Sequence, residues 1–292
     1  MNDYLLSLIL GIVEGLTEYL PVSSTAHLRI CEQLLHLSLN DPFWKMFSIF
    51  IQLGAILCLP IYFWGRIVEF VQDFPQGKRG DRTLMTHPLS LTIIAFVVTA
   101  VPSFLLTKVI GKHLESLTII GVSLIIGGIV MWIVDAIYER SQHQAFARGR
   151  LTEDMEQMSV GQAVWVGFCQ IFSAVFPGTS RSMSTITGGE LAGMSRPAAL
   201  EFSFFLSFPV MLAATCYTLF KALHHKGAAS DVGAMPNDPQ HWIVLAIGFV
   251  VSFIVAYGVV AWFMNWVRTR GFAVFAIYRI IVGIAVLWWM RG

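Results

Sequence analysis

The sequence predicts an all-α polytopic membrane protein, an inverted-topology repeat with two re-entrant helical hairpins and about six membrane spans. Three observations predict this class. Hydrophobic residues make up 56% of the 292 residues and charged residues 13%, whereas a soluble domain carries roughly 25% charge. Several apolar segments reach the ~20 residues that cross a bilayer. Some loops are rich in lysine and arginine, which orients the segments.

The composition also limits the kinds of binding partner that are expected. The formal net charge is only +1, which gives no sign of a nucleic-acid partner. The mean hydropathy of +0.68 predicts that membrane lipid surrounds the chain. The four cysteines have no metal-ligand spacing and are expected to be small buried apolar side chains. The start of the sequence, Met1-Asn2-Asp3, lacks the basic region of a cleavable signal peptide.

The apolar segments divide into six full spans and two broken pairs. The predicted spans are residues 43–64, 86–107, 116–138, 197–223, 241–267 and 272–290. The broken pairs are 4–20 with 25–37 and 160–176 with 181–195. Pro21 interrupts the first pair and Pro177-Gly178 the second. Because these residues discourage a continuous helix, each pair is predicted to form a hairpin.

Basic residues in the loops set the topology. The predicted cytoplasmic loops, rich in Lys and Arg, are 65–85, 139–159 and 268–271. The loop 224–240 is then outside. These assignments agree only if the region 1–42 begins and ends outside while 160–196 begins and ends inside. The two hairpins therefore enter from opposite faces, as in an inverted repeat.

Internal similarity supports the repeat. At shifts of 156 and 155 positions, the matched pairs are Gly11/Gly167, Glu14/Gln170, Pro21/Pro177, Ser24/Ser180 and Phe47-Ser48/Phe202-Ser203. The predicted organisation is one membrane domain, 1–292. Repeat one covers about 1–138, repeat two covers about 160–292, and a cytoplasmic linker, 139–159, joins them.

The stretch from Gly11 to His27 carries polar chemistry inside an apolar segment. Glu14 and Glu18 lie one helical turn apart, so both carboxylates project from one helix face. Hydroxyls and an imidazole follow at once, on Ser23, Ser24, Thr25 and His27. Ionisable residues inside a membrane are costly and indicate a functional site. The alternative is a surface helix followed by a turn with Ser24 as the next N-cap.

The second broken pair centres on PGTSRS, residues 177–182. A Pro-Gly turn, clustered hydroxyls and Arg181 at a helix start predict an anion site, because backbone N–H groups and the helix dipole favour negative charge there. The guanidinium of Arg181 matches phosphate oxygens. The alternative is a capped helix whose arginine reaches the lipid headgroups.

The turn regions of the two predicted hairpins, around Pro21 and Pro177 and called the tips below, complement each other if they meet near the middle of the membrane. One tip offers carboxylates and an imidazole, and the other offers a cation and N–H donors. Carboxylates alone would repel a phosphate, so a divalent cation or protonation is required between them. Both metal binding and general acid–base chemistry suit the two glutamates.

The motifs EGLTEYLPVSSTAH and PGTSRS, with LEFSFFLSFP and FAIYR later in the chain, resemble the undecaprenyl-diphosphatase family, also called the bacitracin-resistance protein family. The likeness covers nearly the whole chain. It implies a membrane phosphatase that hydrolyses undecaprenyl diphosphate to the monophosphate and inorganic phosphate, recycling the lipid carrier of cell-wall synthesis. It also implies a divalent cation, Mg²⁺ or Ca²⁺, and an active site facing the periplasmic side of the bacterial plasma membrane. The expected partners are the isoprenoid diphosphate lipid and membrane lipid, with a homodimer as one expected assembly.

Carried over by position, the resemblance implies a set of site residues. The expected catalytic residues are Glu14, Glu18, Ser24, His27 and Arg181, with Glu14 and Glu18 also as metal ligands. The expected phosphate-binding residues are Ser23, Thr25, Gly178, Thr179, Ser180, Ser182 and Arg279. Either His27 or Ser24 attacks the terminal phosphorus, and His27 is favoured as the nucleophile or its activator. Tyr278 and Arg279 either touch the diphosphate or pair with an acid.

The sequence departs from the family pattern at three positions. Ala26 and Met183 stand where the family usually has glycine, and Glu190 stands where it usually has an apolar residue. Met183 is expected to crowd a turn that needs close backbone approach. Arg196 and Glu201 are expected to pair with each other at the start of a span.

Two other classes of function fit the same architecture. A transporter or flippase for a lipid phosphate or small anion also uses broken helices whose N-termini bind anionic groups. Glu14 and Glu18 would then couple proton movement to transport. A scaffold protein is the second alternative, and it leaves the ionisable cluster unexplained. The imidazole beside hydroxyls and Arg181 favours the phosphatase.

Overall fold

The structure, a computed structural model, describes residues 2–38, 41–106, 116–147, 151–224 and 238–291. Within these ranges all regular secondary structure is helical, apart from one isolated bridge between Thr152 and Met194. The predicted all-α class is confirmed.

Eleven α-helices lie in the described ranges. The short ones form two helix–turn–helix pairs: α1 (Asp3–Thr17) with α2 (Ser24–Leu34), and α7 (Val160–Val175) with α8 (Arg181–Leu191). The others are α3 (Pro42–Tyr62), α4 (Trp64–Gln72), α5 (Pro88–Leu105), α6 (Leu117–Ala147), α9 (Arg196–His224), α10 (Pro239–Trp266) and α11 (Ala273–Trp289). A single 3₁₀ turn, Met155–Gln157, precedes α7.

Five helices of the described chain are long and apolar enough to cross a membrane: α3, α5, α6, α9 and α10. The sixth predicted span, 272–290, corresponds to α11, an apolar helix of 17 residues. At 1.5 Å per residue a helix of that length falls slightly short of the ~30 Å hydrocarbon core.

Two predicted loops contain more helix than expected. The loop 65–85 begins with α4, in which Arg66 and Glu69 form an i,i+3 ion pair at 3.1 Å. Helix α6 continues past the predicted span end at residue 138 to Ala147, because the intervening residues include no proline or glycine to stop it. The connection predicted between the spans 86–107 and 116–138 lies outside the described residues.

The two helix–turn–helix pairs pack against helices from the opposite half of the chain. Helix α1 packs on α10, and α7 packs on α5. Glycines bring the backbones together in both contacts. A Cβ on Gly11 would lie 2.9 Å from the carbonyl of Gly248, and one on Gly167 would lie 2.6 Å from that of Ala95. Small residues at helix interfaces are the usual means of close packing in membranes.

The largest apolar cluster supports the two tips. It includes Tyr19 and Val22 from the first tip and Met183 from α8, packed on α3, α9, α10 and α11. Met183 is 4% exposed and its side chain lies in this cluster. The expectation that Met183 crowds a turn is therefore wrong, because the residue belongs to the first turn of α8 and packs into the core.

Each tip ends in a serine with left-handed backbone geometry. Ser23 caps α2 with φ 75°, and Ser180 caps α8 with φ 73°. The structural counterpart of Ser180 is therefore Ser23 and not Ser24, which corrects the internal alignment by one residue at the tips. This one-residue offset arises in the two turns, because Gly11 of α1 and Gly167 of α7 still match as close-contact glycines on the helices that precede them.

Charged residues form two networks away from the tips. Arg196 contacts Asp135 at 2.5 Å and Glu190 at 3.2 Å, while Arg66 contacts Glu201 at 2.9 Å. Arg196 and Glu201 thus have separate partners, and their predicted mutual pairing is wrong. The acidic side chain of Glu190 therefore has a cationic partner, Arg196, at a position where the family usually has an apolar residue.

Candidate active site

The two hairpin tips contact each other through Glu18. Arg181 Nη2 lies 3.2 Å from Glu18 Oε1, and the hydroxyl of Ser182 donates to the Glu18 carbonyl at 3.3 Å. The side chains of Glu18 and Arg181 are 4% and 12% exposed. An acidic tip and a basic tip are therefore joined in a largely buried position, where a charge pair is screened little by water.

Ser24 completes a chain of three side chains. Its hydroxyl lies 2.5 Å from Glu18 Oε2, so the two carboxylate oxygens of Glu18 separately face Ser24 and Arg181. A hydroxyl held by a base, with the base oriented by a third group, is the general arrangement of an activated nucleophile. The local fold places the Ser24 hydroxyl next to Glu18, because Ser24 is the first residue of α2 and follows the Ser23 cap directly.

Helices α2 and α8 both begin where the two tips meet. The caps are built alike, since the hydroxyl of Ser23 accepts from the N–H of Ala26 and that of Ser180 accepts from the N–H of Met183, both at 3.4 Å. Each helix has 11 residues, enough for its N-terminal N–H groups and dipole to attract an anion. Arg181 adds a positive charge between them. The tips therefore suit phosphate.

Glu14 lies one turn before Glu18 and is fully buried. Neither of its carboxylate oxygens has a hydrogen-bond partner among the described residues. A buried carboxylate beside a second one, that of Glu18, is costly, so this position calls for a cation or a proton. No group of three or more His, Cys, Asp or Glu side chains that could hold a metal was found in the described ranges. Two carboxylates still fit Mg²⁺, which is commonly held by one or two carboxylates together with substrate phosphates.

A cavity of about 550 Å³ adjoins the tips. Its polar end includes Glu18, Ser24 and Arg181, with Ser23, Thr25, Gly178 and Ser180 beside them. The rest of its lining comes mainly from α5 and α9 and is largely apolar, reaching the exposed rings of Phe104 and Tyr217. A polar end and an apolar body are suited to an amphiphilic ligand.

Several expected site residues lie elsewhere. His27 bonds to the Ser23 carbonyl and to Tyr278, and it is not among the residues that line the cavity. Thr179 contributes its carbonyl to Arg279 rather than lining the cavity. Ser182 contacts the Glu18 backbone.

Arg279 is fully buried and binds backbone instead of facing the cavity. It donates to the carbonyls of Pro21 at 3.0 Å, Gly178 at 3.0 Å and Thr179 at 2.8 Å, and to Ser123 at 3.4 Å. Both tips are thereby fastened to α11. This geometry favours a positioning role for Arg279 over direct contact with phosphate.

Comparison with known proteins identifies the family of the chain. A family model described as bacitracin resistance protein BacA matches residues 7–285. The chain belongs to the BacA family. The chain is 67% identical over 290 residues to the undecaprenyl-diphosphatase of Koribacter versatilis (strain Ellin345), covering 99% of both chains. It is 39% identical over 287 residues to that of Rhizobium etli (strain ATCC 51251), covering 98% of this chain and 96% of the relative.

Some residues of this BacA-family site were not predicted from the sequence. Gln52 and Gln170 line the cavity, and their signal was a polar amide within an apolar helix. Gly127 makes room for Arg279, because a Cβ there would lie 2.3 Å from Arg279 Nη2. No sequence signal marked Gly127, since glycine is frequent in membrane helices.

Arg181→Lys tests whether the shape of the guanidinium matters at the BacA-family site. The variant keeps the positive charge beside Glu18 but loses the planar fork of donors. We expect the rate of phosphate release from a prenyl diphosphate to fall by about 10²-fold, as when one preorganised donor is removed from a reacting centre. Steady-state kinetics of purified variants measure this, and an unchanged rate would mean that Arg181 provides only charge.

Proposed function

We propose that this chain hydrolyses undecaprenyl diphosphate to undecaprenyl phosphate and inorganic phosphate. The reaction recycles the lipid carrier used for peptidoglycan and other cell-wall polymers, and it confers bacitracin resistance. The observation that carries the proposal is the Ser24–Glu18–Arg181 chain at the polar end of an otherwise apolar cavity. Membership of the BacA family and the names of its relatives agree with it.

Ser24 is the nucleophile in this proposal. Its Oγ attacks the terminal phosphorus while its proton passes to Glu18, 2.5 Å away. The P–O bond to the bridging oxygen breaks, the proton on Glu18 passes to that leaving oxygen, and undecaprenyl phosphate leaves. Water then attacks the phosphoserine while the regenerated Glu18 carboxylate takes one of its protons. Glu18 returns this proton to Ser24 Oγ as the Oγ–P bond breaks, and inorganic phosphate departs. Arg181 and the N-termini of α2 and α8 stabilise the charge on the phosphoryl oxygens.

The resemblance favours His27 as the nucleophile, whereas here that role is assigned to Ser24. Both ring nitrogens of His27 are already hydrogen-bonded, and Ser24 has a carboxylate in contact. The geometry therefore supports Ser24 over His27 for the attack.

Glu14 and Glu18 would hold the divalent cation, Mg²⁺ or Ca²⁺. When bound, the cation neutralises charge on the diphosphate and on the carboxylates. The carboxylate oxygens of Glu14, which have no hydrogen-bond partner in the described part of the chain, support this proposal, because carboxylate oxygens are preferred ligands of hard cations.

The apolar part of the cavity receives the isoprenoid. Its volume of about 550 Å³ suits a drug-sized ligand, so the diphosphate and the first isoprene units enter. The remainder of the undecaprenyl chain passes Phe104 and Tyr217, which are 62% and 48% exposed, and stays in the bilayer.

The membrane arrangement belongs to the same proposal. The chain lies in the bacterial plasma membrane with six spans, α11 being the sixth, and α1–α2 and α7–α8 are re-entrant hairpins. The matching φ values of the two serine caps support an internal repeat, about 1–138 and 160–292, and the basic residues of the loops favour its inversion. The 139–159 linker is cytoplasmic and the active site faces the periplasm. A homodimer stays a prediction.

Phosphate release from a prenyl diphosphate by the purified protein in detergent tests the proposal. We expect release that depends on Mg²⁺ or Ca²⁺ and stops when the cation is chelated. Glu14→Gln is expected to raise the cation concentration for half-maximal activity by at least about tenfold, the least effect of losing a group that holds a metal. An unchanged cation dependence would remove Glu14 from the metal site.

The same assay separates the phosphatase from a transporter. Absence of release by the wild type under every cation condition would contradict the proposal. Movement of a lipid phosphate or a small anion across proteoliposomes, without hydrolysis, would then favour transport.

A further inference from the structure

The neighbouring residues Tyr278 and Arg279 of α11 both act on the hairpin tips, and Tyr278 does so through His27. We propose that His27 and Tyr278 are positioning residues: together they hold the left-handed Ser23 cap that presents Ser24, and the imidazole itself neither attacks phosphorus nor transfers protons. This inference rests on the proposed phosphatase function, since it concerns the same site.

The hydrogen bonds define the state of the imidazole. His27 Nδ1 lies 2.7 Å from the Ser23 carbonyl, and because a carbonyl oxygen only accepts, Nδ1 carries the hydrogen. In the neutral ring Nε2 is then an acceptor, and the Tyr278 hydroxyl donates to it at 2.7 Å. The two rings are also stacked, with centroids 5.6 Å apart and planes 7° apart. No lone pair of the ring remains free for phosphorus.

The bond to Ser23 holds an unusual backbone. Ser23 has φ 75°, a conformation that residues other than glycine rarely adopt. Its carbonyl accepts from both the backbone N–H of His27, at 3.2 Å, and the imidazole N–H, at 2.7 Å. Since Ser24 follows directly, fixing the Ser23 carbonyl fixes the direction in which the Ser24 hydroxyl meets Glu18.

The second tip provides an internal comparison. Ser180 has nearly the same φ, 73°, and its carbonyl also accepts twice from the residue four positions later. The backbone N–H of Ser184 donates to it at 3.1 Å and the Ser184 hydroxyl at 3.0 Å. Ser184 thus occupies the place that His27 has in the first tip, and it fills that place with a simple donor. The two positions, 27 and 184, therefore share one property: the side chain donates a hydrogen bond to the carbonyl of the cap serine.

Replacement of His27 by other donors tests the inference. His27→Ser copies the second tip, and His27→Asn places an amide N–H near Nδ1, yet neither can replace an imidazole in proton transfer. We expect His27→Ala to lower kcat by about tenfold with KM nearly unchanged, as one lost hydrogen bond predicts. We expect His27→Ser and His27→Asn to recover most of that loss. Thermal unfolding of each variant shows that it is folded.

Tyr278→Phe tests the second half of the pair. The ring and its stacking remain, but Nε2 loses its donor, and kcat is expected to fall by about two- to tenfold. Tyr257→Phe is the matched control, because its exposure of 41% is close to the 42% of Tyr278. The nitrogen chemical shifts of His27, read by NMR after histidine labelling, are expected to report an Nδ1–H ring in the wild type and a changed ring in Tyr278→Phe.

Three results would overturn the inference. The first is loss of activity in His27→Ser and His27→Asn to the level of a variant lacking Glu18. The second is full activity of His27→Ala, and the third is an unchanged kcat and spectrum for Tyr278→Phe. A wild-type protein that releases no phosphate would instead refute the proposed function, so the two failures are distinguishable.

Discussion

Glu18→Gln is expected to reduce phosphate release from a prenyl diphosphate by about 10²- to 10⁴-fold, the range supplied by a positioned general base. The amide is nearly isosteric, but it cannot take the proton of Ser24, 2.5 Å away, and it no longer pairs with Arg181. Single-turnover kinetics with purified protein measure the chemical step directly. KM is expected to change far less than kcat, because the loss falls on the transition state.

A trapped intermediate makes this prediction sharper. With substrate labelled in its terminal phosphate, rapid acid quench of the wild type is expected to leave label on Ser24, and Ser24→Ala is expected to leave none. Glu139→Gln is the matched control, because Glu139 is exposed and lies at the Arg196 network away from the tips. Label on His27 would contradict both the assignment of Ser24 and the positioning role of the imidazole.

Arg279→Met is expected to destabilise the protein and to abolish activity together. The methionine removes the charge but leaves buried carbonyls of both tips without a donor, each of which costs about 1–3 kcal/mol. With three tip carbonyls affected, we expect a large fall in the midpoint of thermal unfolding. Fluorescence-detected unfolding in detergent measures it.

Two further variants interpret that result. Arg291→Met makes the same substitution at an exposed position just after α11 and is expected to leave stability and activity unchanged. Gly127→Ala keeps Arg279 but places a methyl group 2.3 Å from its Nη2, and it is expected to resemble Arg279→Met. A stable Arg279→Met protein that has lost only substrate affinity would instead support direct phosphate binding.

The sequence predicted those features that depend on the free-energy cost of placing polar groups in lipid or on the spacing of residues along a helix. Apolar segments of about 20 residues satisfy their backbone groups in lipid by forming helices, and a Glu14–Glu18 pair inside one of them indicates a functional site. The complementary charges of Glu18 and Arg181 indicated that the two tips meet, and the structure places them 3.2 Å apart.

Other features depend on geometry that residue types do not encode. The turn before Ser23 shifts the tip by one residue relative to the helix before it, so Ser23, and not Ser24, matches Ser180. His27 was expected to face the substrate because the family resemblance places it among the catalytic residues. Its partner Tyr278 is 251 positions away, and no local pattern connects them.

The position of Arg279 has a consequence for biosynthesis. Thr179, in the second tip, precedes Arg279 by 100 positions and Pro21 precedes it by 258. Both tips therefore leave the ribosome well before the side chain that satisfies their carbonyls. Until α11 has been translated, the two turns carry unsatisfied backbone groups in an apolar setting. A chain released or stalled before α11 would hold every residue of the Ser24–Glu18–Arg181 chain but would lack the donors that Arg279 supplies to both tips, so we expect the site to assemble only after that helix has been translated.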